Sequence, residues 1–124
     1  MKLKFVAESK LKTEILQIIG RYLNIEEYKI FFFGSRVSGK GNERSDIDIG
    51  IEGTKPISAS IMARIKEEIN ELPMLYSIDI VDFADTDENF CQVAKRNIEI
   101  IYATKTRGSL RPNYRRYKSS IINR

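Results

Sequence analysis

Gly34-Ser35-Arg36-Val37-Ser38-Gly39-Lys40-Gly41-Asn42-Glu43-Arg44-Ser45-Asp46-Ile47-Asp48-Ile49-Gly50-Ile51 joins a glycine turn to an alternating acid and isoleucine run, and its reading decides the fold. The preceding stretch, Tyr28-Lys29-Ile30-Phe31-Phe32-Phe33, is short, aromatic and β-branched, so it reads as a buried strand that Gly34 ends. Gly39, Gly41 and Asn42 make the following residues a loop. From Asp46 the period is two. Successive strand side chains point to opposite faces, so Ile47, Ile49 and Ile51 enter the core while Asp46 and Asp48 share the other face.

At about 3.3 Å of rise per residue, the Asp46 and Asp48 Cα atoms stand roughly 6 to 7 Å apart, within reach of leaning side chains. Sites with two metal ions hold them about 3.5 to 4 Å apart, so alternate positions of one strand suffice to feed both. Like charges this close either bind a cation or share a proton. Oxygen donors favour magnesium, with manganese as the alternative, and the chain has no His and a single Cys, which argues against zinc.

A third acid is expected from Leu75-Tyr76-Ser77-Ile78-Asp79-Ile80-Val81-Asp82-Phe83, a second β-branched run. Asp79 stands opposite Ile78 and Ile80 and suits a site. Asp82 falls on the isoleucine side, near the strand end, and is held in reserve. Taken singly, a D-x-D pair or a Gly-Ser turn is common in strands and turns that do nothing chemical. The joint order of strand, turn, loop, acid strand and later acid strand is what singles these residues out.

With those residues in view, the chain resembles the minimal nucleotidyltransferases of the polymerase-beta-like superfamily, whose signature is Gly-Ser, a variable gap, then Asp-x-Asp. The gap here is the ten residues from Arg36 to Ser45. The run GSRVSGKGNERSDIDIGI, continued through SIDIVDF to NIEIIY, looks most like the MntA-type antitoxins encoded beside HEPN-domain toxins of the HepT type. The resemblance implies that Asp46, Asp48 and Asp79 are catalytic and bind two magnesium ions, Asp79 either as a ligand or as acceptor of a hydroxyl proton. It also implies that Gly34 and Ser35 contact the phosphates of ATP, the glycine by letting backbone N–H groups approach closely. Ser35 also suits a helix N-cap for residues 36–38. Arg36 is a further phosphate candidate, unless its guanidinium pairs with Glu43 or Asp46. A P-loop fails on sequence, because Gly41 stands where that motif needs Ser or Thr after Lys40.

The chain's 124 residues suit one domain, burying somewhat under about 70% of its unfolded surface. An acceptor site would then be borrowed from a partner. The expected function is AMP transfer from ATP to a Tyr of a HEPN toxin held in a hetero-oligomer. The alternatives are an antitoxin that acts by binding alone and a small-molecule or RNA nucleotidyltransferase. With no signal-like or membrane-spanning run, a cytoplasmic protein is expected. Cys91 reads as a small core residue.

The net charge of +4 is uneven. Residues 105–124 carry seven cations and no acid, which leaves 14 basic against 17 acidic residues, or −3, in the remainder. The resemblance stops near Thr104, so residues 1–104 are read as the nucleotidyltransferase domain. The basic tail, with Tyr114 and Tyr117 among its cations, suits RNA or an acidic partner, or is a disordered or artificial extension. Helical stripes run through Leu11, Ile15, Ile18, Ile19 and Tyr22, ending near Asn24, and through Ile57, Ile61, Ile65, Ile69 and Leu72. A short helix from Asp87 to Lys95 and a strand at Ile98–Tyr102 complete the expectation of an α/β (α+β) fold, a small mixed sheet backed by helices.

Overall fold

The computed structural model describes residues 1, 3, 6–42 and 44–104. Helix α1 (Glu8–Gly20) is followed by strand β1 (Lys29–Phe33), a one-turn helix α2 (Ser35–Ser38) and strand β2 (Ile47–Glu52). Helix α3 (Ala59–Asn70), strand β3 (Ile78–Asp82), helix α4 (Glu88–Ala94) and strand β4 (Glu99–Tyr102) follow. The four strands form one sheet in the order β3-β2-β1-β4, with β1 antiparallel to β2 and β4, and β2 parallel to β3. A parallel neighbour requires a crossover, and α3 supplies it.

The period-two pattern of β2 divides the sheet's two faces as expected. Ile47, Ile49 and Ile51 are fully buried and pack with Ile30, Phe32 and Ile80 against Leu11, Ile15 and Ile19 of α1 and Ile65 and Ile69 of α3. The opposite face holds a smaller cluster of Phe31, Phe33 and Phe83, with Cys91 of α4 packed against it. Gly50 makes that cluster possible. A Cβ there would stand 2.5 Å from Phe31 Cε2 and 2.6 Å from Phe83 Cε1, so a methyl group would push the rings apart. The Phe31 and Phe83 rings meet edge to face at 4.9 Å between centroids, a favoured aromatic geometry. Lys95 pairs with Glu52 and clasps the end of α4 to β2.

Several boundaries differ from the sequence reading, each for a local reason. Ile57 lies outside α3, because Ser58 caps that helix by accepting a hydrogen bond from the Ile61 N–H at 3.3 Å. The run Leu75–Phe83 is strand only at Ile78–Asp82. Leu75 is left exposed, and Phe83 begins a 3₁₀ turn that carries its ring to the aromatic face. Helix α1 stops at Gly20, and a second 3₁₀ turn at Ile25–Glu27 leads into β1. The basic segment 105–124 lies outside the described residues, as does Glu43. Among the described residues no helix is long and apolar enough to cross a membrane.

Candidate functional site

Asp48 sits in mid-sheet on the aromatic face, with Phe33 its register partner on β1 and Asp79 its register partner on β3. Asp46 is exposed just ahead of β2, and Asp79 is exposed on the edge strand. Asp48 and Asp79 thus lie level on two adjacent strands, with Asp46 just ahead of β2 and near enough to act on Asp48. Asp48 registers its neighbours electrically. Its pKa is pushed up to about 6, first by burial and then by the charges of Asp79 and Asp46.

The Gly34 corner closes on the same carboxylate from the β1 side. Gly34 has φ +86°, a region that L side chains rarely adopt, and a Cβ on it would overlap Asp48 Oδ2 and stand 3.0 Å from Cγ. Only glycine lets the turn approach the acid this closely. Gly34 is also the N-cap of α2, with no side-chain cap, so the sequence-based N-cap role for Ser35 is corrected: Ser35 is the first helical residue. Its N–H therefore lacks an intrahelical acceptor.

Asp82, held in reserve as a third acid, has a structural task. It is buried at the end of β3, where its carboxylate accepts from Ile57 N–H at 2.7 Å and Ala84 N–H at 3.0 Å. Its carboxylate is committed to these backbone groups rather than to the face that carries Asp48. Arg36 donates from Nε to the Ser45 carbonyl at 2.8 Å and lies over the Tyr76 ring at 4.7 Å. A cation over an aromatic face is attracted by the ring's negative quadrupole. Arg36 thereby ties the residue preceding Asp46 to the loop preceding β3. The alternative partner Glu43 is outside the described residues. Tyr76 was not anticipated, since it lies 40 residues from Arg36 and no local pattern links them. The loop is held further by Ser45 Oγ, which accepts from Asn42 N–H at 2.9 Å, and by Gly41 N–H donating to the Ser35 carbonyl at 2.9 Å.

The donor set suits a hard divalent cation. It is made of carboxylates alone, and Asp48 carries the penalty of unneutralised neighbours that such a cation would relieve. As they stand, the described acids form no group of three or more gathered closely enough to hold an ion.

A glycine corner against an acid-bearing strand, with a second acid strand alongside, agrees with the family comparison. The chain belongs to the polymerase beta nucleotidyltransferase family, whose model matches residues 13–107, and it is a nucleotidyltransferase. Among individual proteins it is similar to the probable protein adenylyltransferase MntA of Haemophilus influenzae, with 31% identity over 97 residues that cover 77% of this chain and 85% of that one.

Its fold is also that of an MNT antitoxin solved in complex with a tri-AMPylated HEPN toxin from Shewanella oneidensis. There the TM-score is 0.60 and the identity 16%, covering 79% of this chain and 74% of the other. A toxin-antitoxin structure with AMP-PNP gives a TM-score of 0.59 at 20% identity, covering 80% and 76%.

Proposed function

We propose that this chain is the antitoxin of a toxin-antitoxin pair and acts as a magnesium-dependent protein adenylyltransferase, moving AMP from ATP to a tyrosine of a HEPN-domain toxin. The observation that carries the reading is the placement of Asp48 between two features, the Gly34 corner on the β1 side and Asp79 on the β3 side. The relative at 31% identity is named a probable protein adenylyltransferase, and the fold is shared with an antitoxin whose toxin partner is AMPylated.

In this mechanism the triphosphate lies over Gly34 and Ser35, where the glycine backbone admits close approach. The acceptor hydroxyl oxygen forms a bond to the α-phosphorus, the bond from that phosphorus to the pyrophosphate oxygen breaks, and the hydroxyl proton passes to the Asp79 carboxylate. Asp46 and Asp48 are the residues that would hold the divalent cations. Magnesium, when bound, neutralises the charge that develops on the transferring phosphoryl oxygens and on the leaving pyrophosphate. Arg36, engaged with Ser45 and Tyr76, sets the position of the loop from which Asp46 emerges.

The test is to incubate the chain with a HEPN-domain protein from the same operon, magnesium and labelled ATP. Mass spectrometry should find one or more added AMP units on a toxin tyrosine. Transfer of nothing, with any of the four nucleoside triphosphates, would refute the assignment. Protection of cells by a chain carrying Asp46→Asn and Asp48→Asn together would instead favour an antitoxin that neutralises by contact.

A further inference from the structure

β3 is the outer strand of the sheet on the side away from β4, and a groove of about 720 Å³ runs along it, walled by the exposed side of α3. The helix contributes Ala59, Met62, Ala63 and Lys66, which recur at the three- and four-residue spacing of one helical face. Two of the four are alanines, which leaves the space open. The strand contributes its edge from Asp79 to Asp82.

The parallel ladder fixes which backbone groups face this groove. Ile47 N–H donates to the Ser77 carbonyl at 2.9 Å, so Ser77 and, two and four residues on, Asp79 and Val81 turn their backbone groups toward β2. Ile78, Ile80 and Asp82 turn theirs outward. Among the described residues no strand pairs with that edge.

Resting on the transfer reading above, we infer that this groove seats the acceptor protein as an extended segment added alongside β3, with its hydroxyl-bearing side chain next to Asp79. Three observations select this occupant. Phosphoryl transfer requires the attacking and leaving oxygens to be roughly in line. The Gly34 corner lies on the β1 side of Asp48 and Asp79 on the β3 side, so a donor with its leaving group at the corner takes its nucleophile from the β3 side. The groove opens there, and Asp79 is one of its lining residues.

Outward N–H and C=O groups are the elements that an added strand pairs with. A strand so added lies about 4.8 Å from β3, and its side chain level with Asp79 projects on the acid-bearing face. The groove therefore delivers a hydroxyl to the acid while the backbone sets the register. Lys66 on the helix wall and Asp85 beyond the end of β3 place opposite charges in the groove lining.

The decisive experiment fills the groove from a residue that is exposed and outside the proposed catalytic set. Ala63→Trp should raise KM for the HEPN-domain acceptor at least tenfold while leaving kcat, the melting temperature and the affinity for magnesium-ATP unchanged. With Ala63 replaced by p-benzoylphenylalanine, irradiation should crosslink the chain to the acceptor within about five residues of the modified tyrosine. Undiminished transfer by Ala63→Trp, or a crosslink remote from that tyrosine, would overturn the groove and leave the transfer reading standing. If Ala63→Trp lowers the melting temperature, Lys66→Glu replaces it, and an unchanged KM in that variant likewise counts against the groove. Failure of the unsubstituted chain to transfer AMP would overturn the transfer reading and the groove's acceptor role together.

Discussion

The two faces of the sheet are made by alternate residues of the same strands, yet they meet opposite demands. On the helix-covered face Ile47, Ile49 and Ile51 have no exposed surface and are enclosed by α1 and α3. On the other face Asp48 lies between them in sequence, part-buried, with acids as its neighbours. One face lowers the free energy of folding by removing apolar surface from water. The other spends part of that gain on a charge cluster that is unfavourable without a cation. Stability and chemistry are therefore separable on one strand, residue by residue.

Substitutions of neighbouring residues test that separation most directly. Asp48→Asn should reduce AMP transfer by at least about a thousandfold, comparable to losing a principal electrostatic stabiliser of the transition state, with the protein still folded by circular dichroism. Ile49→Ala, one residue on, should do the reverse. Truncating a fully buried isoleucine costs about 2 to 5 kcal/mol, read as a lower midpoint in urea, while the activity of the folded fraction persists. If Asp48→Asn unfolds the chain, or Ile49→Ala abolishes turnover in the folded protein, the two faces are not independent.

Gly34→Ala sharpens the comparison at the point where the faces meet. The substituted residue must hold φ +86° and its Cβ must displace the Asp48 carboxylate. A strained non-glycine backbone costs on the order of 1 to 3 kcal/mol, so both stability and transfer should fall. Purified variant protein should show a lowered melting temperature together with at least a tenfold loss of transfer. A change in stability with full activity would mean that the corner does not position the acid.

What was legible in the sequence was what short periods encode. The alternation through Asp46 to Ile51 placed the acids and the core on opposite faces, and the strand, helix and loop order followed from apolar spacing and glycine punctuation. The edge position of β3, the stacking of Arg36 on Tyr76 and the capping role of Asp82 were not legible. Each depends on which distant segments become neighbours: Asp82 binds Ile57 N–H across 25 residues, and Tyr76 meets Arg36 across 40. Asp79 shows both halves. Its face was readable from Ile78 and Ile80, while its level with Asp48 was set by the parallel register, which no local pattern specifies. Ser35 also suited a cap by residue type, whereas the close approach to Asp48 puts glycine at that position.

The smallest expected effect follows from the charge carried by Asp48 when no cation is present. Its folded-state pKa of about 6 lies above its ordinary value of 3.8, so between those pH values the folded chain holds a proton that the unfolded chain has released. Stability should therefore fall as pH rises from 4 to 6 and level off above that, since the folded state binds the excess proton only within that window. A fully buried group shifted this far would contribute about 3 kcal/mol. Asp48 is only part-buried, and solvent screening reduces the expectation to about 1 kcal/mol. Urea unfolding in EDTA, compared between the native chain and Asp48→Asn at pH 4 and pH 7.5, isolates this contribution from the other carboxylates. The variant should match the native chain at pH 4 and exceed it at pH 7.5, and millimolar magnesium should narrow the gap by stabilising the native chain alone. Parallel curves for the two proteins at every pH would mean that Asp48 bears no such burden, and the electrostatic half of the contrast between the faces would be lost.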